Sequence, residues 1–153
     1  MLPYISYCLE IWGNTYKSNV NPLYIIQKKA IRIICNVDSR THTLELFYKL
    51  GILKLFDLLE LKICTLRYKA KYSMLPKHLQ VLFKFGSEQK YNMRKVTKCK
   101  INFARTNIKA MNISIKGVKL WNSLGDDLIN SVSVKFFVNK FKKKVLEKYN
   151  IGM

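Results

Sequence analysis

The longest regularly spaced apolar pattern in this chain runs from Asp57 to Met74. Its members recur every three or four residues, as on one face of an α-helix: Leu58, Leu61, Cys64, Tyr68 and Tyr72. Pro76 follows, and proline ends a helix because it supplies no backbone N–H. A chain whose strongest periodicity is helical is expected to fold mainly as α-helices.

The rest of the first half also reads as helical. Leu2–Trp12 is apolar, and Gly13 is expected to end it. Asn21-Pro22 favours a helix start, with Asn as N-cap and Pro at the first helical position, and this helix should run to about Asn36. Its apolar stripe comprises Leu23, Ile26, Ala30, Ile33 and Ile34. Lys28, Lys29 and Arg32 lie off that stripe, which predicts an amphipathic helix with a basic face. Thr43 and Gly51 bound a shorter helix.

The composition changes after Gly86. Ten basic residues stand against one acid between Lys84 and Lys119. Thr97–Phe103 and Met111–Ile115 alternate apolar and polar residues, which predicts two short strands. Ser133 is expected to cap a last helix over Val134–Tyr149. The sequence thus predicts a mainly α fold, with a helical region at 1–85 and a basic region at 86–153 that together form one unit.

The charge indicates the class of partner. Twenty-eight Lys and Arg face nine Asp and Glu, a net charge of +19 on 153 residues. A compact domain repels itself at such a charge, so a polyanion is the simplest partner: nucleic acid, an anionic membrane surface or an acidic protein. No apolar run is long enough to span a bilayer, and no signal peptide is evident. We therefore expect a protein of the cell interior, in the nucleus or cytoplasm.

The last helix offers a membrane alternative. Its apolar stripe contains Phe137, Phe141 and Tyr149, and its other positions are rich in lysine, as in helices that lie on a lipid surface. The same stripe also suits docking on the protein's own core, which we rank first.

The sequence gives little support for a metal site or a catalytic nucleophile. Cys8, Cys35, Cys64 and Cys99 are widely spaced, which argues against zinc ligands. The first three lie in helical apolar patterns, which favours buried reduced thiols. Gly125-Asp126-Asp127 matches a metal-binding signature of polymerases, but its flanks do not read as paired strands. Acids at a helix start, facing the positive end of the helix dipole, explain it better. We predict no catalytic and no metal-binding residue.

A basic stretch with interleaved aromatics is the stronger signal. Cations that neutralise phosphates alternate there with Tyr91 and Phe103, a combination typical of proteins that bind RNA or single strands. Each aromatic taken singly is more often a core residue. With the basic face of the second helix, the predicted contact residues are Lys28, Lys29, Arg32, Arg94, Lys95, Lys98, Lys100 and Arg105.

Eleven short segments, in order, resemble a known family. They are Leu2–Cys8, Trp12–Tyr16, Leu23-Tyr24, Gln27–Arg32, His42-Thr43, Leu53-Lys54 with Asp57, Tyr68–Lys71, Leu75-Pro76, Arg105–Asn107, Lys116–Leu124 and Phe141-Lys142. This ordered set resembles the region after the catalytic palm in reverse transcriptases of non-LTR retrotransposons (LINE, jockey-type).

The resemblance implies a function. The chain would correspond to the thumb of an RNA-directed DNA polymerase and the region that follows it, with residues 1–85 resembling the thumb. This region is expected to bind RNA or an RNA–DNA template–primer. The family's aromatic-Ala-Asp-Asp signature is absent, so we expect no catalysis by this chain alone. The parent polymerase would use Mg²⁺, and this chain is expected to hold no cofactor. Its expected partners are nucleic acid and the rest of a reverse transcriptase.

A second hypothesis is structural. The chain is then a non-functional remnant, from a truncated element or an internal Met1 start, whose apolar faces once packed on the missing palm. Leu2–Trp12 would be exposed and adhesive.

Overall fold

The computed structural model describes residues 2–80, 99 and 101–151, and most of them are helical. The helices are α1 (Leu2–Ser6), α2 (Leu9–Trp12), α3 (Lys17–Ile34), α4 (Leu44–Lys49), α5 (Leu55–Lys71), α6 (Lys77–Gln80), α7 (Asn107–Met111), α8 (Ile113–Asn122), α9 (Asp126–Ile129) and α10 (Val134–Ile151). No strand occurs within these described ranges. The predicted mainly α fold is confirmed.

The chain divides into two compact units. Unit 1 comprises Met1–Leu61 with Asn139–Met153, and unit 2 comprises Lys62–Val138. Helices α5 and α10 contribute residues to both. The boundary predicted at residues 85–86 falls outside the described residues and stays a prediction.

The N-terminal helical segment of unit 1 is interrupted once. Cys8 has a left-handed backbone (φ 46°), which separates α1 from α2. Gly13 ends α2 as predicted, and its N–H donates to the Leu9 carbonyl at 2.8 Å. A Cβ at Gly13 would lie 2.6 Å from that oxygen and 3.1 Å from Leu59 Cδ1. Position 13 therefore requires glycine because a Cβ would collide with Leu9 and Leu59, and not because of a positive φ.

Helix α3 begins earlier than its sequence suggests. It starts at Lys17, so Pro22 lies inside the helix and Asn21 is not its N-cap. Pro22 supplies no N–H to the Ser18 carbonyl, a defect that costs up to about 3 kcal/mol in a helix interior. The earlier start places Val20 in the core, where only 2% of its surface is exposed. Burial of this side chain favours the added turn.

Three helices end in the same way. Asn36, Gly51 and Ser73 follow α3, α4 and α5 with φ of 50°, 60° and 54°. After α4, Ile52 N–H donates to Phe47 O at 3.0 Å and Gly51 N–H donates to Tyr48 O at 2.9 Å. The other two ends repeat this pattern, the Schellman motif, which satisfies the last helical carbonyls. Gly51 thus ends α4 as predicted.

Aromatic side chains form the core of unit 2. Trp121 on α8 lies 6.3 Å from Phe137 between ring centroids, and Phe137 lies 4.9 Å from Tyr68. The Tyr68 hydroxyl donates to the Ser131 carbonyl at 2.5 Å. Burial, followed by its neighbour Tyr72, raises the pKa of Tyr68. These contacts fix the neutral phenol inside the unit.

The strand predicted over Met111–Ile115 is wrong. Helix α7 ends at Met111, and α8 begins at Ile113. Asn112 between them is an N-cap whose Oδ1 accepts the Ser114 N–H at 2.9 Å. Its polar side chain produces the alternation that resembled a strand. Of the strand predicted over Thr97–Phe103, residues 97, 98 and 100 lie outside the described residues, and 101–103 are irregular.

The last helix follows its prediction closely. Phe137, Phe141 and Tyr149 are buried along α10, and Ser133 Oγ accepts the Phe136 N–H at 3.2 Å as an N-cap. The apolar stripe therefore packs on the protein's own core, which is the alternative that we rank first. None of the helices in the described ranges is long and apolar enough to cross a membrane.

All four cysteines are free thiols. Only Cys64 is buried, whereas Cys8, Cys35 and Cys99 are partly exposed. This agrees with the prediction of reduced thiols. Burial is predicted for Cys8, Cys35 and Cys64, and it is correct for Cys64 alone.

The helix ends generate a stability prediction. Gly51→Ala should lower the free energy of unfolding by about 1–2 kcal/mol, because a Cβ there meets empty space and only the left-handed backbone is strained. Ser73→Gly should raise it by up to about 1 kcal/mol, since glycine relieves the same strain at some cost in chain entropy. Urea unfolding measures both.

Ser73→Ala is the matched control, because it retains the Cβ and should change stability little. A loss of stability in Ser73→Gly would contradict the assignment of strain to this position.

Candidate nucleic-acid interface

The rotation of α3 in unit 1 is set by one buried amide. Gln27 is 3% exposed, and its Nε2 donates to the Leu53 carbonyl at 3.0 Å. Its Oε1 accepts the Leu55 N–H at 2.9 Å. Both ends of the side chain thus satisfy backbone groups at the start of α5. Val20 and Ile31 are buried on the same side of the helix, so this side faces the core.

The predicted cations of α3 share another side of the helix. At 100° per residue, Lys28, Lys29 and Arg32 fall in a sector about 100° wide that begins about 100° from Gln27. Lys29 is exposed, and Lys28 and Arg32 are partly exposed. Three positive charges therefore lie on one continuous surface, the basic face of α3.

Two of these cations are held in place. The Lys28 ammonium lies 4.7 Å from the centroid of the Tyr24 ring, within reach of a cation–π interaction. Arg32 Nε donates to the Thr41 carbonyl at 2.9 Å, a bond that leaves both terminal nitrogens of the guanidinium as donors. The basic face is therefore partly preorganised for an anion.

Aromatic packing supports Tyr24 from beneath. Its ring lies 5.4 Å from Phe56 and 6.4 Å from Phe47 between centroids. Burial, and secondarily the negative charge of Asp57, raises the pKa of Tyr24. The ring under Lys28 therefore stays neutral at physiological pH.

A hydrogen-bonded cluster joins α5 to α10 in unit 1. The Tyr149 hydroxyl donates to Asp57 Oδ2 and accepts the Lys54 N–H at 3.2 Å. The Lys54 ammonium lies 4.4 Å from the Tyr149 ring centroid. Burial and the Asp57 carboxylate raise the pKa of Tyr149. This cluster uses Asp57 as a structural acceptor.

Of the remaining predicted contact residues, the structure describes Arg105. Arg105 is exposed in unit 2, just before the Thr106 N-cap of α7. Arg94, Lys95, Lys98 and Lys100 lie outside the described residues. Phe103 is 84% exposed, so the expectation that it belongs to the core is wrong. An exposed ring beside Arg105 agrees with the predicted combination of stacking group and cation.

The Gly125-Asp126-Asp127 motif lies at a helix start. Gly125 is the N-cap of α9, and both acids stand in its first turn. This placement confirms the helix-dipole interpretation over the strand–turn–strand of a polymerase site. Among the described residues no group of three or more His, Cys, Asp or Glu is arranged to hold a metal ion.

Four residues of the predicted apolar stripe of α3 are exposed. Leu23, Ile26, Ile33 and Ile34 have 36%, 46%, 79% and 65% of their surface accessible. The sequence signalled this stripe correctly but not its exposure, because periodicity shows which residues share a side and not what covers them. The buried side is marked by Gln27, a polar residue that hydropathy assigns to the surface.

No protein family, curated protein or solved structure matches this chain. The geometry of the chain and its sequence resemblance therefore carry the functional argument.

Replacing the buried amide tests how α3 is held. Gln27→Leu should lower the free energy of unfolding by about 2 kcal/mol or more, because it leaves the Leu53 carbonyl and the Leu55 N–H buried without partners. Chemical denaturation followed by circular dichroism measures the change.

Gln80→Leu is the control, since Gln80 makes one bond, to the Leu75 carbonyl, in a partly exposed place. Equal losses for the two variants would contradict the role given to Gln27.

Proposed function

We propose that this chain binds RNA or an RNA–DNA template–primer through phosphate contacts, as the region beyond the palm of a non-LTR retrotransposon reverse transcriptase. The observation that carries the proposal is the net charge of +19, with three of its cations on one face of α3. The ordered resemblance of its segments to that region supports the choice of nucleic acid over other polyanions.

Binding on this proposal is electrostatic and tolerant of sequence. Lysine and arginine neutralise phosphates and release the counterions that had condensed on the nucleic acid. Such contacts position a duplex but read no base. The guanidinium of Arg32 adds directional donors, whereas the flexible ammonium of Lys29 adds charge.

The proposal gives the chain no chemistry of its own. Asp126 and Asp127 begin α9, and Asp57 is engaged by Tyr149, so none of these acids is assigned to a catalytic metal. Mg²⁺ would belong to the polymerase palm of a parent enzyme. The chain would act in the nucleus or cytoplasm, with the rest of a reverse transcriptase as a further partner.

The dependence of affinity on salt tests the proposal. If about six phosphates of a duplex are contacted, log affinity against log salt should have a slope of roughly −5. Removing the charges of Lys28, Lys29 and Arg32 together, as Lys28→Ala, Lys29→Ala and Arg32→Gln, should make the slope shallower by roughly 2–3. Fluorescence anisotropy with a labelled RNA–DNA duplex measures both.

A control variant removes three exposed charges elsewhere, at Lys77, Lys119 and Lys135. It should shift the slope by less than the α3 variant. Equal shifts would refute the α3 assignment, and a flat salt dependence of the unaltered protein would refute nucleic-acid binding.

The alternative function is the structural remnant, and one observation favours it. Tyr4, Tyr7 and Ile11 of the N-terminal segment are 86%, 76% and 74% exposed, in addition to the exposed stripe of α3. Large apolar side chains exposed in such number indicate a contact with another polypeptide. On this alternative, the surface once packed against a polymerase palm and the chain has no activity left.

Dye binding separates the alternatives. A remnant should bind a hydrophobic dye strongly, melt without cooperativity and show no salt-dependent affinity for RNA. The paired change Ile33→Asn and Ile34→Asn should reduce dye binding without lowering thermal stability, because both side chains are largely exposed. A sharp melt together with RNA binding would exclude the remnant.

A further inference from the structure

A groove in unit 1 has none of the residues of the basic face of α3 in its lining. It has a volume of about 470 Å³, which is within the range of small-ligand sites. Tyr48 on α4 forms one wall, and α10 forms the other. The lining residues of α10 are Asn139, Lys142, Lys143, Leu146 and Glu147.

The α10 wall follows a helical repeat. Asn139, Lys142, Lys143 and Leu146 have the spacing i, i+3, i+4 and i+7, so they share one side of the helix. Both lysines and Asn139 are exposed, and Leu146 is partly buried. Two cations and an amide therefore point to the same groove, over an apolar floor.

The Tyr48 wall is held rigidly. Its neighbour Phe47 is fully buried and lies 6.5 Å from the Tyr149 ring of α10 between centroids. The Tyr48 carbonyl accepts the Gly51 N–H in the helix-end motif of α4. The Tyr48 side chain is nevertheless 43% exposed. An aromatic side chain on a fixed backbone, open on one side, suits stacking of a flat ligand.

We propose that this groove binds one unpaired nucleotide of an RNA or DNA strand, with the base stacked on Tyr48 and the phosphate at Lys142 and Lys143. The proposal rests on the proposed nucleic-acid function and adds a site for single strands. Stacking on a side chain requires a base free of its pair, which distinguishes this site from duplex contacts.

The other lining groups fit the same occupant. Asn139 has both a donor and an acceptor for a base edge. Glu147 accepts only, so it suits an exocyclic amino group and repels a phosphate placed at its end of the groove. Asn139 and Glu147 lie at opposite ends of the α10 wall, about 12 Å apart along the helix axis with the lysines between them, so a base stacked on Tyr48 reaches one of them and not both. An acidic peptide would engage the lysines and leave Tyr48 without a role.

Substitutions of Tyr48 test the stacking. Tyr48→Leu should weaken binding of a labelled single-stranded RNA roughly 5- to 100-fold, the range for loss of one stacked base, and leave RNA–DNA duplex affinity unchanged. Tyr48→Phe keeps the ring and should bind the single strand as the unaltered protein does. An unchanged affinity in Tyr48→Leu, or an equal loss for duplex and single strand, would overturn the proposal.

Substitutions of the lysines test the phosphate end. Lys142→Ala with Lys143→Ala should make the single-strand salt slope shallower by roughly 0.7, for the one phosphate that the two lysines share. Poly-glutamate is the competing probe. If it displaces the RNA from the unaltered protein and from Tyr48→Leu equally well at matched charge, the groove is a general anion site and the proposal fails.

The failure of this site is distinguishable from failure of the proposed function. If duplex binding persists with its salt slope while Tyr48→Leu has no effect, only the groove is refuted. If neither duplex nor single strand binds the unaltered protein, both proposals fall together.

Discussion

The carboxamide of Gln27 determines what α3 presents to solvent. An amide buried between two backbone groups has one orientation in which both its donor and its acceptor are satisfied, and any other leaves buried polar groups unpaired. That requirement fixes the helix about its own axis. Once the Gln27 side faces the core, the direction of the basic face follows from helical spacing alone.

An excess of cations over acids influences how the rest of the chain is held together. With twenty-eight basic side chains and nine acidic ones, most cations have no carboxylate to pair with. The structure uses aromatic faces and carbonyl oxygens instead: Lys28 lies over Tyr24, and Lys71 lies over Tyr72. Lys71 also donates to the Ile129 carbonyl at 3.3 Å. Each contact is modest and leaves the charge in place, so the protein remains strongly attractive to a polyanion.

The sequence predicts an element best where apolar spacing and burial coincide. Phe137, Phe141 and Tyr149 recur on one side of α10 and are buried there, so both the helix and its inner side could be predicted. At Asn112 a cap imitates strand alternation, because an N-cap is polar whether or not its neighbours are helical. The sequence predicts that α3 starts at Pro22, which is too late. The preference of proline for a helix start is weaker than the gain from burying Val20.

The proposed functional surfaces also differ in how well the sequence predicts them. Lys28, Lys29 and Arg32 are close in sequence, so helical spacing alone predicts their common face. The groove could not be predicted, because Tyr48 and Lys142 are far apart in the chain and meet only through tertiary packing. Within α10 lysines occupy several sides of the helix, and no local pattern distinguishes those that line the groove.

The two alternatives for this chain involve the basic face of α3 and the exposed apolar residues of the same helix, and electrostatics couples them. Two copies, or a second basic partner, meeting through the apolar stripe of α3 would bring like charges within a Debye length of about 8–10 Å. A bound polyanion neutralises the adjacent basic face and removes that repulsion. Occupation of the basic face therefore favours covering of the stripe, and by reciprocity a covered stripe favours nucleic-acid binding. The exposed apolar surface is consequently compatible with a binding function as well as with a remnant.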